Sequence, residues 1–111
     1  MKNFASNDGS TSPAGGEGAP AGHRWTFLSN HAHVLISLAR DPEALMREVA
    51  ARTGITERAV ANILTDLEEE GLVLRHREGR RNTYELRLDR PLRHPIEQHR
   101  TVGELIELIL K

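Results

Sequence analysis

Arg58 and Asn62 stand four residues apart, and Arg80 and Arg81 are adjacent in a polar stretch between two apolar runs. All four side chains end in planar, forked hydrogen-bonding groups. The carboxamide of an asparagine has the donor and acceptor pair that matches an adenine edge, and a guanidinium matches a guanine edge or a phosphate. The forks of Arg80 and Arg81 suit phosphate oxygens, with reach if they sit at the tip of a hairpin. Glu57, beside Arg58, either accepts a hydrogen bond from a cytosine amine or simply favours the positive end of a helix. This is the chemistry of recognition rather than of bond-making.

Little else in the chain offers chemistry. There is no cysteine, which excludes disulfides, thiolate nucleophiles and thiolate metal sites. Gly15, Gly16 and Gly18 fall in a Gly, Ser and Pro-rich stretch rather than after a strand, so they make no phosphate-binding loop. No acid, base and nucleophile set is legible, and an enzyme is not expected. Six histidines raise the question of a metal. His31 and His33 are two apart on a predicted helix and face different ways, while His94 and His99 flank Pro95-Ile96-Glu97-Gln98 with no suitably spaced ligand. They are expected to be surface or capping groups, with no metal and no cofactor.

The elements that must position the forked groups follow from apolar spacing. Trp25, Phe27 and Leu28 lead to Ser29 and Asn30, both good caps, and Val34, Leu35 and Leu38 recur at helical spacing until Asp41 and Pro42. A second helix is predicted over 43–52, with Leu45, Val49 and Ala50 as its apolar set and Gly54 beyond its end. Thr56 caps a third helix, 56–70, whose Val60, Ile63, Leu64 and Leu67 make one buried face. The opposite face carries Glu57, Arg58, Ala61, Asn62 and Thr65. Gly71 is placed to end it, and the acidic run Glu68 to Glu70 is expected to be a solvated helix end.

Beyond Gly71, the runs 72–77 and 82–88 are β-compatible and flank Glu78-Gly79-Arg80-Arg81. Tyr84, Leu86 and Leu88 alternate with Thr83, Glu85 and Arg87, the period of a half-buried hairpin. Pro91 and Pro95 make an irregular connector, after which Thr101 and Glu104 form the capping box of a last helix. Its apolar stripe is Val102, Leu105, Ile106 and Ile109, widened by Leu108 and Leu110.

Length and charge agree with this reading. At 111 residues, with 38% apolar and 28% charged side chains, the chain fits one modest domain. Residues 1–22 are expected to be a disordered tail, 23–90 the folded domain, and 91–111 a connector and terminal helix. No apolar run approaches the roughly 20 residues needed to span a bilayer, and the N-terminus lacks the apolar core of a signal peptide. A soluble, cytoplasmic protein without a membrane partner is expected. The formal net charge is −1, but residues 41–71 hold 3 Lys/Arg against 8 Asp/Glu and residues 72–100 hold 8 against 4. A basic zone therefore survives a neutral total.

Two helices joined across Thr53-Gly54-Ile55, followed by a hairpin, make a mainly α chain with a small β wing, the pattern of a winged helix-turn-helix. Its third helix can be offered to a major groove. The stretch GITERAVANILTDLEEEGLV, with the basic hairpin REGRRNTYEL after it, resembles winged helix-turn-helix transcriptional regulators of the MarR and ArsR-like type over about residues 25–90. The resemblance implies a sequence-specific regulator of transcription bound to double-stranded DNA. It assigns Thr56, Glu57, Arg58, Ala61, Asn62 and Thr65 to the major groove. It assigns Arg77, Arg80, Arg81 and Asn82 of the wing, 72–88, to the backbone or minor groove.

Regulators of this kind are usually two-fold dimers reading half-sites about 34 Å apart. Trp25, Val102, Leu105, Ile106 and Ile109 are therefore expected to serve a homodimer interface, the other use of that stripe being docking onto the first helix. The resemblance leaves room for an unidentified small-molecule effector. Against it stands a second reading, a winged-helix protein-interaction module whose wing arginines meet an acidic partner and which binds no DNA.

Overall fold

The computed structural model describes residues 25–111, so the tail expected over 1–22 lies outside the described residues. Among them the order is α1 (Asn30–Arg40), α2 (Met46–Thr53), α3 (Glu57–Glu69), β1 (Val73–Glu78), β2 (Arg81–Leu86) and α4 (Val102–Leu110). The two strands pair antiparallel in a single ribbon. This is a winged helix-turn-helix with a short C-terminal helix added.

Helix starts obey the caps in the sequence. The Ser29 hydroxyl accepts from the Ala32 N–H at 3.3 Å, and that of Thr56 accepts from Ala59 N–H at 3.0 Å. At α4 the reciprocal pair forms: Thr101 Oγ1 accepts from Glu104 N–H at 3.1 Å while the Glu104 carboxylate accepts from Thr101 N–H at 2.8 Å. That backbone bond is the main reason the Glu104 carboxyl is held below the usual carboxylate range, with Arg100 adding to it.

Helix ends use glycine where the backbone turns left-handed. Gly54, at φ 79°, closes α2 by donating its N–H to Ala50 O at 2.8 Å. Gly71, at φ 76°, donates to Glu68 O at 3.0 Å, and the next residue, Leu72, reaches back to Leu67 O at 2.9 Å. These paired bonds stop α3 and turn the chain directly into β1.

The second helix begins three residues later than its spacing predicts, at Met46 rather than 43. Asp41 is the reason. Its carboxylate accepts from Glu43 N–H at 3.3 Å and its carbonyl from Ala44 N–H at 3.1 Å, which folds Pro42 and Glu43 into a turn. Glu48 then caps the true start, accepting from Leu45 N–H at 2.9 Å.

One core serves all the elements. Val34 and Leu38 of α1, Val49 of α2, Val60 and Leu64 of α3 and Val73 of β1 are fully buried, with Tyr84 from β2 closing one side. Each such aliphatic side chain stabilises the fold by about 1.5–3 kcal/mol relative to exposure. α4 packs on α1 and adds Val102 and Ile106, which are 6% and 3% exposed. Two of the side chains expected at a homodimer interface are thus taken up inside the chain. Leu105 is half-buried, whereas Ile109 and Trp25 stand 42% and 75% exposed.

The connector is tied down at both ends. Val102 N–H donates to Arg90 O and Gly103 N–H to Leu88 O, both at 2.8 Å, and Leu92 N–H donates to Arg100 O at 2.8 Å. A Cβ on Gly103 would lie 2.8 Å from the Leu88 carbonyl oxygen, so only glycine lets α4 start this close to the exit of β2. The two-proline segment predicted as irregular is a closed loop.

Candidate nucleic-acid interface

The apolar stripe of α3 fixes which side chains remain outside. With Val60, Ile63, Leu64 and Leu67 turned into the core, Thr56, Glu57, Arg58, Asn62 and Thr65 are exposed and Ala61 is half-buried. Arg58 makes no ion pair among the described residues. Two hydroxyls on this face are partly committed to the helix itself. Thr56 Oγ1 is the cap acceptor, and Thr65 Oγ1 donates to Ala61 O at 3.2 Å.

The wing differs from its expected form at the tip. The strands run on to Glu78 and Arg81, which pair across the ribbon, leaving a turn of only Gly79 and Arg80. Gly79 has φ 65°, the glycine placement that a two-residue type II′ turn requires. Arg80 alone therefore occupies the tip, while Arg81 is a strand residue. Its guanidinium lies 4.0 Å from the Glu43 carboxylate, a long pair between two exposed groups. The backbone follows the same route, since Tyr84 N–H donates to Pro42 O at 3.2 Å and ties β2 to the turn before α2.

Residues facing each other across an antiparallel ribbon share a face, so Arg77 and Asn82 lie with Val73 and Tyr84 while Arg81 lies opposite. Arg77 folds back, its Nε–H donating to Gly79 O at 3.1 Å. Asn82 Oδ1 is buried without a hydrogen-bond partner among the described residues. The wing thus presents cationic groups on both faces and at its tip.

The C-terminal end of α3 is acidic and solvated, with Glu69 and Glu70 exposed and Glu68 half-buried, and two of its carboxylates also find arginine partners. Glu68 accepts from Arg75 Nε and Nη2 at 2.9 and 3.2 Å, a bidentate bridge from α3 to β1. Glu70 pairs with Arg93 of the connector at 3.1 Å. Charged groups that are unfavourable at a helix C-terminus are thereby offset by arginines that follow in sequence. The signal for this lies in the swing from net acidic to net basic at residue 72.

The histidines fill local roles. His31 Nε2 lies 2.8 Å from Asp66 Oδ2 and joins α1 to α3, and His76 Nε2 lies 2.9 Å from Glu85 Oε1 across the wing. His94 Nδ1 accepts from Ile96 N–H at 3.1 Å. Burial pushes the His33 imidazole below its usual value. Among the described residues no three metal-ligating side chains come together, and no helix is long and apolar enough to cross a membrane.

A helix-turn-helix, a bare polar face on its second helix and a basic hairpin directly after it form one continuous unit, and the MarR family model matches residues 26–82 of it. The chain belongs to the MarR family. Members of this family are transcriptional regulators, usually DNA-binding. Comparison with curated proteins gives no significant match. The family match stops early in β2, before Tyr84, the closed connector and α4. In this MarR-family chain the segment beyond the match supplies part of the core.

Proposed function

We propose that this MarR-family chain is a sequence-specific regulator that places α3 in the major groove of duplex DNA and the wing against the backbone or minor groove. The observation that carries it is the exposed pair Arg58 and Asn62, held by a buried stripe on the same helix and followed by a wing tipped with Arg80. In this reading Asn62 reads adenine, and Arg58 reads guanine or clamps a phosphate. Thr56, Glu57, Ala61 and Thr65 border them, and Arg77, Arg80, Arg81 and Asn82 set the register by backbone contacts. The regulator acts in the cytoplasm and without catalysis.

The same reading takes the protein as a homodimer. Val102 and Ile106 are spent on the chain's own core. The exposed Trp25, Phe27, Leu108, Ile109 and Leu110 are among the apolar groups left for a second copy, and Trp25 and Phe27 already pack edge-to-face with centroids 4.8 Å apart. Sedimentation of the full chain at micromolar concentration is expected to show a dimer.

The test of DNA reading passes sheared genomic DNA over immobilised protein in moderate salt, beside an Arg58→Ala/Asn62→Ala control, and sequences what is retained. A shared, two-fold symmetric motif lost in the control is the expected result. No retention even at low salt would overturn the proposal and leave the protein-interaction module.

A further inference from the structure

Arg58, Ala61, Asn62 and Thr65 fall at i, i+3, i+4 and i+7, so they form one stripe along the outer side of α3, opposite the buried Val60, Ile63, Leu64 and Leu67. From Arg58 to Thr65 the stripe rises about 10 Å, the length of about three base steps. Arg58 and Asn62 carry the forked hydrogen-bonding groups. The two residues that alternate with them carry none.

Those two residues present methyl groups. Ala61 ends at its Cβ and is half-buried, with the longer side chains of Glu57, Arg58 and Thr65 one turn away on either side. It is the low point of the stripe, where a base edge can come closest to the helix. Thr65 is exposed, but its hydroxyl donates to Ala61 O at 3.2 Å, which engages its single proton. It keeps a methyl group and an acceptor, and has no donor left for a phosphate or for a base oxygen. One turn further on, the exposed Glu69 sets a carboxylate on the same side, which repels a duplex and ends the usable stripe at Thr65.

The C5-methyl of thymine is the one apolar group that an unmodified base edge shows in the major groove. We propose that α3 selects thymine, with the Ala61 and Thr65 methyl groups packed on the C5-methyls of thymines flanking the adenine that Asn62 reads. Guanine at those positions would present two acceptors to side chains that have no donor, and cytosine would present an amine to Ala61, which has no acceptor. Arg58 and Asn62 thus set the register, and the methyl groups choose T·A over C·G on either side. The inference rests on the DNA-reading proposal and names the sequence class of its site.

The motif retained from genomic DNA by the full chain is expected to hold thymines beside its adenine. The experiment replaces each of these in turn by uracil, which removes the C5-methyl and leaves every hydrogen-bonding group in place. Affinity is expected to fall about fourfold for each thymine read, the value of one buried methyl. It should return with 5-bromouracil, whose bromine fills the space of the methyl. In Thr65→Ser, which keeps the hydroxyl and loses the methyl, the uracil penalty at one thymine is expected to vanish, and Ala61→Gly is expected to abolish it at another. The thymine reading is overturned by a motif without flanking thymine, by equal affinity with uracil throughout, by a loss that 5-bromouracil does not restore, or by a penalty that survives in both variants. In each of those cases the DNA-reading proposal stands so long as Arg58→Ala/Asn62→Ala releases the motif. Retention of no duplex at all overturns both.

Discussion

The two ends of α3 are chemically opposite. At the N-terminal end Arg58 and Asn62 are exposed, and Arg58 is without an ion pair among the described residues. At the C-terminal end Glu68 and Glu70 are gripped by Arg75 and Arg93. The helix is therefore anchored at one end and bare at the other. Recognition needs side chains whose hydrogen bonds are not yet made, whereas holding a helix against a wing needs side chains whose bonds are complete. One 13-residue helix is built for both because its buried stripe, Val60 to Leu67, supports it from within and leaves each end to be decided by its neighbours.

The strongest way to break that contrast is to remove what both ends share. Leu64→Ala is expected to cost about 2–5 kcal/mol of unfolding free energy, because Leu64 is almost fully buried and its loss leaves a cavity. Urea or thermal unfolding would show it, and DNA binding would fall with the folded fraction. If the loss were below about 1 kcal/mol, the stripe would not be the common support.

A change confined to the bare end should separate function from stability. Asn62→Ala is expected to lose about 1–3 kcal/mol of discrimination at one base pair in a competition binding assay while the melting temperature stays put. Equal losses on specific and random DNA would show that Asn62 contacts backbone instead.

The anchored end should do the reverse. Glu68→Gln is expected to cost about 0.5–1 kcal/mol of stability, a modest figure because both partners of the bridge are partly solvated. Any loss of DNA affinity should then act alike on every sequence. A sequence-dependent effect would place Glu68 at the interface and dissolve the contrast.

The smallest expected effect is on pH dependence. The His33 imidazole is held below its usual value by burial, so the fold favours the neutral form. Its contribution is complete above the unfolded value of about 6.5 and is lost as pH falls below it, because the unfolded chain then takes up the proton more readily. Melting temperature should drop between about pH 7.5 and about pH 5.5, and His33→Gln should shallow that drop. An identical profile in the variant would assign the dependence to other groups.

Much of the fold is legible in the amino-acid sequence. Ser29, Thr56 and Thr101 mark helix starts because a side-chain oxygen beside three unpaired N–H groups has one obvious use, and Gly54 and Gly71 mark ends for the left-handed backbone they alone adopt cheaply. The start of α2 is not legible, since Asp41 competes for the same N–H groups and nothing in the apolar spacing announces it. The turn at the wing tip is hidden for a related reason. Glu78 and Arg81 look like loop residues by composition, and only their mutual pairing places them in strands. The bridges of Glu68 and Glu70 join charges on separate elements, and periodicity along one element cannot reveal them. The bare face of α3 is legible because burial of one stripe defines the other by subtraction.

The long pair between Arg81 and Glu43 bears on how salt titrations of any DNA complex should be interpreted. The slope of affinity against salt counts cations freed from the duplex as protein charges replace them. In a complex where Arg81 meets a phosphate, it would leave Glu43, 4.0 Å away, at little cost because both groups are exposed. The Glu43 carboxylate left nearby would repel the phosphates, so Glu43→Gln is expected to raise affinity, most at low salt where such repulsion is least screened.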